Sequence, residues 1–106
     1  MTRSNTALAI DIGGTKLAAA LITGDGRMLN ERQVPTDQSA SAELLFESLL
    51  DLIRTVAGTE GKFDVCGVGC GGPMTLAGSL VSPLNIPAWR NFPLLRSLQD
   101  SLQVPV

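Results

Sequence analysis

The residues best suited to chemistry stand close to the start of the chain: Asp11, then Gly13, Gly14, Thr15 and Lys16, within the stretch LAIDIGGTKLAAALI at positions 8–22. A carboxylate inside an apolar strand is costly if nothing pairs with it, so Asp11 calls for hydrogen bonds or a metal ion. Two glycines directly after the strand let the backbone approach a ligand and aim successive N–H groups into a concave anion site. Thr15 adds a hydroxyl and Lys16 a positive charge. Together these groups can hold a phosphate, with Asp11 organising Mg²⁺ directly or through water. The same residues also make a plain hairpin in which Asp11 accepts N–H bonds from the turn. D-x-G-G-T-K is too short to choose between the two.

Other chemistry is narrowly bounded. The chain has no histidine and two cysteines, Cys66 and Cys70. Cys/His zinc sites and Ser-His-Asp or Cys-His catalysis are thereby excluded within it. Carboxylates, lysine, backbone amides and a bound metal remain, and the cysteines read as small core hydrophobes. A Walker-type G-x-x-x-x-G-K-[ST] does not occur. Gly67, Gly69 and Gly72 spell G-x-G-x-x-G, but Pro73 follows where a helix should open, and residues 88–92 read Ala-Trp-Arg-Asn-Phe where an acidic residue is needed. No dinucleotide site is expected there. A net charge of −2, with basic side chains scattered from Arg3 to Arg96, provides no stripe for nucleic acid. No apolar segment approaches the roughly 20 residues that cross a bilayer, and none has a signal-peptide layout, so no membrane partner and a cytoplasmic location are expected.

These residues need a scaffold, and 106 residues at 44% apolar content suffice for one domain with a core of Leu, Ile, Val and Ala. Positions 6–12 and 17–22 read as adjacent antiparallel strands, and RMLNERQV, 27–34, as a third strand completing a meander. Leu45, Leu49, Leu52, Ile53 and Val56 recur at helical spacing, predicting a helix from Ala42 to Ala57 with Ser39 or Ser41 as N-cap and Gly58 as its stop. Glu43, Glu47 and Asp51 then fall on a solvated face. FDVCGVGC, 63–70, reads as a buried strand reached by crossover onto the same sheet. Residues 71–92, punctuated by Pro73, Gly78, Pro83 and Pro87, read as a long loop with a short strand near Leu80 and Val81. A loop this long in a compact domain is usually functional or disordered. Trp89 reads as a packing residue at a cleft edge. Asn91 is expected to cap a last helix with Pro93 in its first positions and Leu95, Leu98 and Leu102 on one face. The closing VPV looks like the start of another strand. This order describes an α/β fold with a mixed sheet.

IDIGGTK, GVGCGGPMTLAGSLVSPLNIPAW and FPLLRSLQDSLQVPV together resemble the ROK family of sugar kinases and sugar-responsive repressors, within the actin-like ATPase superfamily; the resemblance runs from about residue 7 to the end. It implies the N-terminal, ribonuclease H-like lobe of an actin-like ATPase: a three-strand meander followed by helix, strand and helix, as a single domain over 1–106. It further implies transfer of the γ-phosphoryl group of ATP to a hexose hydroxyl with Mg²⁺, most like the glucokinase and N-acetylmannosamine kinase branch. Asp11 and Gly13, Gly14, Thr15 and Lys16 would belong to the phosphate and metal site, Gly71 and Gly72 to the loop beside the sugar. Asn85 and Trp89 match the family's Asn-x-x-x-Trp segment on the sugar side. Gly71-Gly72-Pro73 stands where the family often has Pro-Gly-Pro.

The family's general base, the Asp of an Asn-Asp-Ala-Asn segment, is expected beyond Val106. So are its Glu-x-x-x-Gly-His sugar contacts, its zinc cluster and its adenosine-binding lobe. The chain alone is therefore expected neither to phosphorylate sugars nor to bind ATP tightly. A sugar-sensing protein or repressor fragment, and a self-associating truncated protein, are the competing expectations, and a homodimer is among the assemblies anticipated. Family repressors carry a winged helix before the glycine motif, and only ten residues precede Asp11 here.

Overall fold

The computed structural model describes residues 5–58, 62–75 and 79–106. The meander expected from the sequence forms as β1 (Thr6–Ile12), β2 (Lys16–Thr23) and β3 (Met28–Pro35). Helix α1 (Ala42–Ala57) then returns the chain to β4 (Val65–Cys70), which pairs parallel with β1, giving a mixed sheet in the order β3-β2-β1-β4. After β4 come a two-stranded hairpin, β5 (Met74–Thr75) and β6 (Leu80–Val81), and helix α2 (Leu94–Leu102). Gly78, expected to mark a turn, lies outside the described residues.

Register decides which side chains meet α1. Leu8 stands opposite Leu21, Ile10 opposite Ala19 and Ile12 opposite Leu17, while Cys66, Val68 and Cys70 continue the same three rows on β4. This face packs on Leu45, Leu49, Leu52, Ile53 and Val56, the stripe read from the spacing, and all five are buried. Ser41 caps α1 by accepting from the Leu44 N–H at 3.2 Å, and Gly58, at φ 60°, closes it with its N–H on Arg54 O. Ser39 is not the cap: its N–H and hydroxyl both donate to Asp37 Oδ1 in a turn ahead of the helix. Glu43, Glu47 and Asp51 are exposed, as expected.

The opposite face alternates into Ala7, Ala9 and Asp11 on β1, Ala18 and Ala20 on β2, and Gly67 and Gly69 on β4. None of the described elements lies across its centre as α1 does on the first face. β3, the edge strand, is exposed along most of its length and carries Glu31, Arg32 and Gln33, charged and polar groups that discourage edge pairing. Asn30 anchors it by donating from Nδ2 to Val56 O at 3.0 Å.

Two expectations near the C-terminus are corrected. Asn91 does not cap α2: it sits at φ 53° and donates its N–H to Ser82 Oγ at 2.8 Å, while the helix begins only after Pro93. Its buried positions are Leu94 and Leu98, with Leu95 and Leu102 partly covered. The closing VPV forms no strand. It does meet the free edge of β4, where the Cys66 N–H donates to Pro105 O at 2.9 Å.

Candidate functional site

The glycine turn between β1 and β2 is held entirely through its carbonyls. Gly13 N–H donates to Lys16 O at 3.0 Å, closing the hairpin. From the segment after β3, the Thr36 hydroxyl donates to Gly13 O at 2.7 Å, the Thr36 N–H to Thr15 O at 2.9 Å, and Gln38 Nε2 to Gly14 O at 2.6 Å. Every carbonyl from Gly13 to Lys16 is thus taken by protein. The amides of Gly14 and Thr15, by contrast, have no partner among the described residues. A turn with occupied acceptors and free donors favours an anion.

Asp11 and Lys16 line one shallow depression on the uncovered sheet face, together with Ala9, Ala18, Glu31 and Gln33. Of the two partners expected for Asp11, hydrogen bonds are absent among the described residues, because β1 is apolar on both faces but covered on one, so burial does not demand them. Asp11 is exposed, with no hydrogen bond or ion pair among the described residues. Gly69 is its direct neighbour on β4, and a side chain there would begin 3.7 Å from Asp11 Oδ1. Lys16 also makes no ion pair among the described residues, so its charge is not cancelled by Glu31 or Asp11.

The second wall is the loop from Ser82 to Asn91, joined at its base by antiparallel pairing of Val81 with Phe92. Trp89 fixes its middle: the indole is fully buried, donates from Nε1 to Ala42 O at 3.2 Å, and stacks on Phe92 at 4.4 Å between centroids. It is a packing residue, as the sequence suggested. Arg90 ties the loop internally, its guanidinium donating to the carbonyls of Ser82, Pro83, Ile86 and Pro87.

This loop rests on two glycines far apart in sequence. A methyl group placed on Gly14 would stand 2.3 Å from Asn85 Cβ, and one on Gly72 would stand 2.7 Å from Pro83 Cα and 2.9 Å from Ser82 O. Gly72 also adopts φ +87°, which side chains resist. The structure therefore brings Gly14, Gly72 and Asn85 together around one loop, beside Gly13, Thr15 and Lys16. Gly71 is adjacent but faces open space: a side chain there would meet no atom within 4 Å. Asn85 is exposed, and its amide has no hydrogen-bond partner among the described residues.

The cysteines behave as core thiols. Burial pushes Cys66 up to about 11; Cys70 is raised by burial first and then by the negative charge of Asp11. Among the described residues no group of three or more His, Cys, Asp or Glu side chains is placed to hold a metal ion. Gly67 and Gly69 lie within β4 and a hairpin follows, so the G-x-G-x-x-G spacing makes no dinucleotide turn.

Sequence reasoning missed Thr36, Gln38 and Arg90. Thr36 and Gln38 stand in VPTDQSAS, 34–41, between the third strand and the first helix, and Arg90 stands in the long loop of 71–92; none belongs to a recognised motif. The one signal available was chemical: a hydroxyl and an amide placed just beyond a strand that ends alongside the glycine turn.

Known structures share this fold. The chain superposes with a TM-score of 0.82 on the ROK hexokinase of Thermus thermophilus, at 29% identity over 95% of this chain and 33% of that one. With the ROK family glucokinase of Streptomyces griseus, solved with glucose and AMPPNP, the TM-score is 0.81 at 28% identity, over 96% of this chain and 32% of that one. The mixed sheet thus has the fold of a lobe of the actin-like sugar kinases. Residues 7–106 match the ROK family, and the chain belongs to it. Among curated relatives, the N-acetylmannosamine kinase of Escherichia fergusonii is 37% identical over 102 residues, covering 94% of this chain and 34% of that protein. The chain thus spans about a third of the length of the relatives it matches.

Proposed function

We propose that residues 1–106 form a single domain that contributes the phosphate-facing turn and part of the sugar-facing wall of a cytoplasmic, ATP-dependent hexose kinase. One observation carries this reading: the loop holding Asn85 lies in contact with the turn whose Gly14 and Thr15 amides have no partner among the described residues. Phosphoryl transfer requires the acceptor hydroxyl and the terminal phosphate to be neighbours, with little covalent work left for the protein. A turn that binds phosphate and a loop that binds sugar, packed against each other, meet that requirement. That the glucokinase of similar fold was solved with glucose and AMPPNP supports both ligand classes.

In this scheme the Gly13–Lys16 turn receives phosphate oxygens on its amides and on the Thr15 hydroxyl, with Lys16 adding charge. Gly71, Gly72 and Asn85 face the sugar, the Asn85 amide offering both a donor and an acceptor to hydroxyls. Asp11 fits Mg²⁺ only in a shared shell: a single exposed carboxylate suits an ion that keeps its waters and binds substrate phosphates. When bound, the ion neutralises phosphate charge. The Asn-Asp-Ala-Asn segment that supplies the family's base does not occur in these 106 residues, so the chain alone is expected to show no turnover in a coupled assay.

A chimera tests the reading, with residues 7–106 replacing the matching third of the Escherichia fergusonii kinase. ADP release should depend on sugar and fall by about 10²-fold in D11N. An active chimera in which D11N leaves kcat and KM unchanged overturns the reading. Whether or not the chimera folds, ¹H–¹⁵N spectra of the chain titrated with Mg-AMPPNP should move the amides of Gly13–Lys16 first, and shifts elsewhere only would overturn it equally.

A further inference from the structure

We infer that Thr36 is a positioning residue of the anion-binding turn, acting with Gln38 as a latch that keeps the Gly14 and Thr15 amides turned toward the ligand. The inference rests on the phosphate reading of Gly13–Lys16 given above. A short glycine turn has many accessible peptide orientations, and free glycine linkages rotate readily. Such a turn binds an anion well only if its N–H groups are aimed before the ligand arrives, since ordering them on binding subtracts from affinity.

Thr36 bonds the turn at two points, its hydroxyl on Gly13 O at 2.7 Å and its N–H on Thr15 O at 2.9 Å. The two carbonyls it takes flank the Gly14 peptide, and Gln38 takes Gly14 O at 2.6 Å. Fixing a carbonyl fixes the N–H of the next residue, because both lie in one peptide plane. Gly13 O thereby sets the Gly14 N–H, and Gly14 O sets the Thr15 N–H. These are the two amides left without partners among the described residues. Thr36 is also the one buried polar side chain among the described residues, 9% exposed, so its hydroxyl is committed to Gly13 O rather than shared with water. Gln38, exposed, secures the outer peptide.

The test uses the 106-residue chain, tripolyphosphate as probe, and the ¹H–¹⁵N shifts of Gly14 and Thr15, with Trp89 fluorescence reporting the fold. Wild type should titrate saturably. T36V, which keeps the shape and the N–H but loses the hydroxyl, should bind about five- to tenfold more weakly, Q38A about two- to threefold, and T36S should return to within about twofold of wild type. If T36V binds as wild type does, or if T36S is as weak as T36V, the latch is wrong while the phosphate reading stands. If wild type does not titrate at all, the phosphate reading falls and the latch with it. Should T36V fail to fold, Q38A decides, since its side chain is exposed: unchanged affinity in Q38A then overturns the latch.

Discussion

Replacing Gly14 by Ala isolates the contact on which the two-walled site depends. Gly14 does not lie in the positive-φ region, so alanine meets no backbone strain there, and the whole effect must come from the new methyl group. That methyl would stand 2.3 Å from Asn85 Cβ and 3.3 Å from Cγ, so the loop must move. Cβ is rigidly attached to the backbone and cannot rotate aside as a side-chain tip would. Trp89, stacked on Phe92 and bonded to Ala42 O, and Arg90, bonded to four carbonyls, both resist that movement. Overpacking of this kind costs about 1–3 kcal/mol. With a urea m-value of about 1.5 kcal/mol/M for a small domain, about 2 kcal/mol lowers the midpoint by about 1.3 M. Trp89, the single tryptophan and fully buried, reports the transition by fluorescence. The second arm of the cycle is N85G, which removes the obstructing Cβ: in that background G14A should cost less than about 0.5 kcal/mol. A wild-type midpoint in G14A, or an undiminished cost in the N85G background, refutes the packing of loop on turn.

Two further outcomes follow from the thiols beside this site. Burial raises Cys66 from the ordinary 9.0 to about 11, so the native state keeps a proton that the unfolded chain gives up. Stability from this group is intact below pH about 9 and declines as pH rises toward about 11, by about 2–3 kcal/mol in total; urea midpoints of wild type and C66A should diverge across that window, and parallel profiles would refute the assignment. The Asp11 charge also pushes Cys70 up, so D11N should speed alkylation of Cys70 by iodoacetamide at pH 8. The difference should shrink at about 1 M salt, where the screening length is about 3 Å, and equal rates at low salt would place Asp11 too far from the thiol.

Much of the scaffold was legible because single elements carry their own signals. The 45, 49, 52, 53, 56 stripe, a serine before it and Gly58 after it specify α1 by side-chain chemistry within the helix itself. The Gly-Gly-Thr-Lys turn between two apolar runs likewise specified the β1-β2 hairpin. Asn91 misled because asparagine serves both as an N-cap and as a residue tolerant of positive φ, and here the second use prevailed, settled by Ser82 across the loop. The environment of Asp11 was hard to read for another reason. Its neighbours Ile10 and Ile12 are apolar, yet the strand's alternation turns it onto a face lined by Ala and Gly, and which face is covered depends on elements elsewhere. For the candidate site, the turn and the Asn-x-x-x-Trp segment were visible, but their contact was not. Neither a missing side chain at Gly14 nor the carbonyl grip of Thr36, Gln38 and Arg90 has a pattern in one dimension.

The contact between turn and loop also has a place in time. Gly13–Lys16 closes inside a hairpin of neighbouring residues, and Thr36 and Gln38 reach it from just beyond the next strand of the same meander. Asn85 must arrive from beyond α1, β4 and the β5-β6 hairpin, so its approach carries the entropy of a far larger closed loop. The turn is therefore expected to be assembled early, and the loop carrying Asn85 to be the last segment to dock and the first to leave. Damage at their junction shows as faster unfolding rather than slower folding. Molecules that have lost only this contact keep their sheet and helix while holding no cleft at all.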